Sequence, residues 1–167
     1  VETAERKRLL ERAFDEPAHV EPGLAPRIDA LLMSAAAQAL SLARKAGNVV
    51  SGFAKVEGAI ASEPVVAVIH AADAGADGVA KLGQALRRKF GGNPPPVLRC
   101  FGPEELDLAF GRTNVIHAAL LAGPASDNLL ARVRDLLRFR GIEGPRDGTG
   151  ATAFDALSEL PDLSAGP

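Results

Sequence analysis

Residues 65–72 read VVAVIHAA, and this run constrains the fold more than any other part of the chain. It is short, uninterrupted and rich in β-branched side chains, without the alternation of apolar and polar residues that a strand with one wet face would show. A strand of that kind is covered on both faces. Covers stand on either side of it in sequence. Phe53, Val56 and Ile60 recur at helical spacing before it, and Val79, Leu82, Leu86 and Phe90 recur at helical spacing after it. Strands alternating with helices imply an α/β fold, expected here as a three-layer α-β-α sandwich around a small mixed sheet.

The remaining punctuation fits that plan. An Ala- and Leu-rich stretch over 27–45 reads as a long helix, with Arg44 and Lys45 in the last turn, where cations suit the helix dipole, and Gly47 placed for a left-handed cap. Asn48 to Ser51 reads as a very short strand, and Gly52 opens the helix that carries Phe53 and Lys55. The unpaired amides of that helix start favour an anion. Gly91-Gly92-Asn93-Pro94-Pro95-Pro96 ends the next helix, Val97 to Phe101 reads as a strand, and Pro103 with Glu104 and Glu105 starts another helix. Asn114 to Leu121 is then a strand, and Ser126 to Phe139 the closing helix. Asp73 is placed to cap the helix that follows it.

Three regions follow: a short helical segment and proline-punctuated connector over 1–30, the α/β core over 31–141, and an acidic stretch over 142–167 that reads as disordered. The net charge of −2 conceals an uneven distribution. Residues 141–167 hold Glu143, Asp147, Asp155, Glu159 and Asp162 against Arg146, whereas residues 31–140 hold thirteen Lys or Arg against nine Asp or Glu. A mildly basic core therefore precedes an acidic tail, a distribution compatible with a polyanionic partner.

Composition excludes several functions. With 4% aromatic residues and neither Trp nor Tyr, an aromatic sheet surface that stacks bases is not available. Cys100 is the sole cysteine, so there is no internal disulfide framework and no cysteine-based zinc finger; its reading is a buried small apolar side chain. No apolar run spans a bilayer, and the expectation is a cytoplasmic protein. His19, His70 and His117 are widely separated, with no acid or thiol at metal-ligand spacing, and are read as structural. No nucleophile elbow, phosphate loop or dinucleotide fingerprint occurs, so neither catalysis nor a cofactor is expected.

The stretch LARKAGNVVSGFAKVEGAI (42–60) resembles the start of the core domain in the kink-turn-binding ribosomal-protein superfamily, most closely in bacterial proteins that join a YlxR module to such a core. VVAVIHAADAGADGVAKL (65–82) is similar to that family's second strand, third loop and third helix, and FGPEELDLAFGRTNVIHAALL (101–121) to its fourth helix, Gly-x-x-Asn loop and last strand. LLARVRDLLRFRG (129–141) resembles the closing helix of the YlxR fusions, and RLLERAFDEPAHVEPGLAPRIDALL (8–32) the end of a YlxR module. The resemblance implies a non-catalytic protein that grips structured RNA, ribosomal RNA included, through two adjoining loops. The residues it places there are Arg44, Lys45, Gly52, Phe53 and Lys55 around the first loop, and Gly111, Arg112, Thr113 and Asn114 in the second.

This chain departs from the family at the positions that read bases. Ala54, Lys55 and Gly58 stand where the strongest RNA binders of the family carry Asn, Glu and Lys. What survives is recognition of shape and phosphate through backbone donors and cations, without sequence-specific DNA contacts. Arg112 is the best single candidate, because a planar guanidinium can stack on a base or fork to a phosphate. The competing expectation is a protein-interaction module of a ribosome- or transcription-associated complex, offering a helical face or the acidic tail to a protein partner.

Overall fold

A computed structural model of the chain describes residues 23–141. The expectations for the short helical segment before them and for the acidic tail lie outside the described residues. Five helices and four strands alternate in order: α1 (Leu24–Lys45), β1 (Val49–Ser51), α2 (Phe53–Ser62), β2 (Val65–His70), α3 (Ala76–Phe90), β3 (Val97–Leu98), α4 (Pro103–Phe110), β4 (His117–Leu121) and α5 (Pro124–Arg140). The fold is α/β with a small mixed sheet, as the sequence implies.

The strands lie in the order β1-β4-β2-β3. β4 is antiparallel to both β1 and β2, and β3 runs parallel to β2. The VVAVIH run is thus central, and four of its six side chains are almost wholly removed from water: Ala67, Val68, Ile69 and His70. Its side chains divide between two separate cores, with an irregularity of register between Val65 and Ala67. Ala67 and Ile69 join Leu40, Phe101, Leu106, Leu120, Leu129 and Val133 beneath α1, α4 and α5. Val65 and Val68 join Val56, Ile60, Leu82 and Leu86 beneath α2 and α3. Truncating a fully buried leucine in either layer, Leu120 or Leu82, costs about 2–5 kcal/mol.

Helix α1 runs unbroken through the boundary expected near residue 31. Asp29 receives two hydrogen bonds from Arg140, Nε at 2.7 Å and Nη2 at 2.9 Å, which tie the first turns of α1 to the last turn of α5. Residues 24–30 are thus continuous in α1 with the residues that follow and are tied to α5.

Two expected strands are shorter than their sequences suggest. The segment from Asn114 enters the sheet only at His117, because Asn114 is left-handed (φ 63°) and the amides of Asn114 and Val115 donate to the Asp107 carboxylate instead of to a neighbouring strand. β3 stops at Leu98, and beyond it the Phe101 carbonyl accepts the Ala72 amide from the turn that follows β2. Asp73 does not cap α3: the helix starts after Gly75 without a side-chain cap.

Candidate functional site

The sheet has two unlike ends. β1, β2 and β3 finish, and β4 begins, at the same end, so Gly52, the turn after His70, Arg99 and the loop before His117 converge there. Six of the nine residues assigned to RNA contact are brought to the β1 side of this end, in two groups: Gly52, Lys55 and Arg112 with its neighbours Gly111, Thr113 and Asn114.

Gly52 stands between β1 and α2 with φ 100° and ψ 141°, a conformation open in practice to glycine alone. Its amide donates to the His117 carbonyl at 2.9 Å, and its own carbonyl accepts the Val56 amide, the first helical bond of α2. One residue thereby fixes the helix start against β4. Ala54 and Lys55 follow in the first turn, exposed, at a helix start whose amides lack intrahelical partners.

The second loop is built by α4. Gly111 ends the helix in the left-handed region (φ 61°), its amide and that of Arg112 closing back on the carbonyls of Leu108 and Asp107. The Asp107 carboxylate then takes the next two free amides, Asn114 at 3.1 Å and Val115 at 3.0 Å. An acid that would repel a polyanion is thus occupied in holding the loop. Arg112 projects from this frame, and its Nη2 donates to the Ser51 hydroxyl at 2.7 Å, joining the second loop to the first.

The other assigned residues are placed differently. Arg44 donates from Nε to the Ala109 carbonyl at 3.1 Å, so its charge sits against the C-terminal turn of α4, where the helix dipole favours it. It braces the second loop from behind. Lys45 is exposed in the last turn of α1, before β1 starts, and the pairing of Val49 with Leu120 puts that start at the other end of the sheet from Gly52. Lys45 is not brought to the two loops. Phe53 is half-buried, with its ring edge-on to His117 at 5.9 Å between centroids, and so supports the loop from beneath.

Sequence reasoning missed the feature on which the site rests. His70 and His117, 47 residues apart, are paired across β2 and β4, and their Nδ1 atoms lie 3.0 Å from each other in the buried interior. Such a bond requires one ring to carry the proton on Nδ1 and the other to accept it, so the accepting ring at least is neutral. Burial, the positive charge that His117 would carry if it too were protonated, and that of Arg99 hold the His70 pKa down to about 4, and burial lowers that of His117 as well, so both rings are uncharged at neutral pH. The N-terminal turn of α3 closes against the pair: a Cβ on Gly78 would come within 2.7 Å of His117 Nε2. The two histidines, read from the sequence as widely separated, meet at the candidate site. Only the antiparallel register brings them together, and that register is not written in either segment alone.

Arg99 was also missed. It follows β3 at the level of His70, is exposed, and donates from Nη2 to the carbonyls of Ala72 (3.2 Å) and Ala74 (3.4 Å). Cys100 beside it is largely buried, and burial pushes its thiol up to about 11, which removes it as a nucleophile. Among the described residues, no group of three or more His, Cys, Asp or Glu side chains is arranged to hold a metal ion. No helix among them is long and apolar enough to cross a membrane.

No family model and no curated protein matches the chain. Among solved structures, it is similar to "The structure of a protein with unknown function from Bacillus halodurans C", with a TM-score of 0.51 and 23% identity, over 59% of this chain and 95% of that one. The likeness shows the fold alone.

Proposed function

We propose that the chain is a non-catalytic RNA-binding protein that recognises structured RNA by shape and phosphate, in the manner of the kink-turn-binding superfamily and the YlxR fusions that its sequence resembles. The observation that carries this reading is the 2.7 Å bond from Arg112 to Ser51, which joins the two loops into one surface. On that surface the guanidinium of Arg112 and the ammonium of Lys55 are the contributed cations, and the start of α2 contributes backbone amides. Ala54 offers no amide group to read a base, so the proposed binding is insensitive to sequence and sensitive to salt. The cytoplasm is the proposed location, and ribosomal RNA is the leading class of target.

The second reading, a protein-interaction module, is favoured by one feature of α1. Leu31 and Leu42 are 70% and 60% exposed, and they stand eleven residues apart, three turns along the same face. A filter-binding titration separates the two readings. The chain is titrated against a sharply bent RNA and a straight duplex at two salt concentrations, beside Arg112→Ala and Lys55→Ala. The RNA reading expects tighter binding to the bent RNA, weaker binding at high salt, and about tenfold loss in Arg112→Ala. If the wild type retains neither RNA, the RNA reading fails and the α1 face becomes the better candidate.

A further inference from the structure

The end of the sheet that carries the two loops continues past them. In strand order, Ser51 closes β1, His117 opens β4 and accepts the Gly52 amide on its carbonyl, His70 closes β2 opposite His117, and Arg99 follows β3 beside His70. These four positions form one row. Three interstrand spacings separate its extremes, about 14 Å at the usual strand separation. Arg112 is fastened at the β1 extreme and Arg99 at the β3 extreme.

The two arginines are held in the same chemical way. Arg112 is anchored by a hydroxyl, and Arg99 by two backbone carbonyls. Among the described residues neither makes an ion pair, whereas Arg140 is matched by Asp29 and Lys81 by Asp77. A guanidinium held by neutral acceptors keeps its whole positive charge while losing conformational freedom, so little further ordering is needed when an anion arrives. The anchoring bonds of Arg99 use Nη2 alone out of its three nitrogens, and the fork geometry of the rest suits a phosphate. Between the two arginines the buried rings of His70 and His117 add no charge at neutral pH, and the acid of that stretch, Asp73, is exposed in the turn whose carbonyls hold Arg99.

We propose that Arg99 is a second phosphate anchor, so that a bound RNA spans the whole sheet end from Arg112 to Arg99. The inference rests on the RNA-binding reading and extends it by a residue and a surface that the two-loop picture does not contain. The turn over 71–75, whose carbonyls position Arg99, becomes part of the supporting frame of the interface.

The test is a salt series of RNA-binding titrations on the full chain, with the same bent RNA, comparing wild type, Arg99→Gln, Arg99→Lys and Arg112→Gln, each with its thermal midpoint. Arg99→Gln is expected to weaken binding about tenfold at moderate salt and to flatten the dependence of log K on log salt by about 0.7–0.9, the signature of one lost phosphate contact. Arg99→Lys keeps the slope while losing part of the affinity, because the charge remains and the fork does not. If Arg99→Gln leaves affinity and slope unchanged while Arg112→Gln weakens binding, the second anchor is wrong and the two-loop reading stands. If Arg99→Gln weakens binding with an unchanged slope and a lowered thermal midpoint, Arg99 only holds the turn, and the inference is again overturned. If wild type binds no RNA at any salt, the functional reading itself is what fails.

Discussion

The two ends of the sheet are built from the same strands and solve opposite problems. At the end where β1 starts and β4 finishes, polar groups are matched to one another by neutral side chains. The Asn48 amide closes on Ala43 of α1, its carbonyl accepts from Leu121, and its Nδ2 donates to the Ala122 carbonyl. The Ser126 hydroxyl returns to the Leu121 carbonyl. At the other end, Gly52 holds a backbone conformation foreign to other residues, Asn114 is left-handed, two imidazoles are buried, and two arginines keep their charge unneutralised. One end closes the fold; the other keeps donors and charge available for something else. Departures from locally favoured structure that are maintained by surrounding bonds are where a site is expected.

The sharpest way to separate the ends is acid. As pH falls below 6.5 an unfolded imidazole takes up a proton, whereas His70 in the fold does not until about pH 4. Within that window the unfolded state binds more protons, so stability falls as pH falls. Denaturant unfolding at pH 7 and pH 4.5 is expected to show a loss of about 2 kcal/mol through His70, a contribution that the closed end cannot make, since Asn48 and Ser126 do not titrate. A flat profile would mean that the pair is not buried as described.

Next in size is Gly78→Ala. Its new methyl group meets His117 Nε2 at 2.7 Å, and His117 cannot withdraw without breaking its bond to His70, so a loss of about 1–3 kcal/mol is expected in the same unfolding measurement. Asn48→Ala, at the closed end, is expected to cost about 1 kcal/mol by removing the bond to Ala122 while leaving RNA affinity untouched. A fall in RNA affinity there would erase the distinction between the ends. The smallest expected effect is that of Ser51→Ala. Loss of an exposed hydroxyl partner changes stability by less than about 0.5 kcal/mol, yet it frees Arg112 and should weaken RNA binding two- to threefold in the filter assay.

Much of this architecture was legible in the sequence, and the reasons are local. The VVAVIH run announced a doubly covered strand, the glycine and proline cluster after Phe90 announced a helix end, and Gly52 announced a turn at a helix start. The expected strands failed where a side chain replaced a strand as the backbone's partner, as Asp107 does for Asn114 and Val115. The candidate site was half legible. Arg112 and Gly52 belong to short motifs that can be read in place, and the structure joins them. His70, His117 and Arg99 are meaningful only in register with one another, across three strands, and a sequence does not state register. Lys45 groups with Lys55 in the sequence because both flank the first loop along the chain, but the three residues of β1 carry the backbone away from Lys45.

The central claim is that a folded RNA sits on one end of this sheet. Amide chemical-shift mapping of the isotope-labelled chain during titration with a bent RNA tests it most directly. The account predicts that shifts concentrate at residues 51–55, 71–75, 99 and 111–117, with Asn48, Ala122 and the exposed face of α1 unmoved. Shifts confined to the Leu31 and Leu42 face of α1, or spread over both ends of the sheet alike, would contradict it.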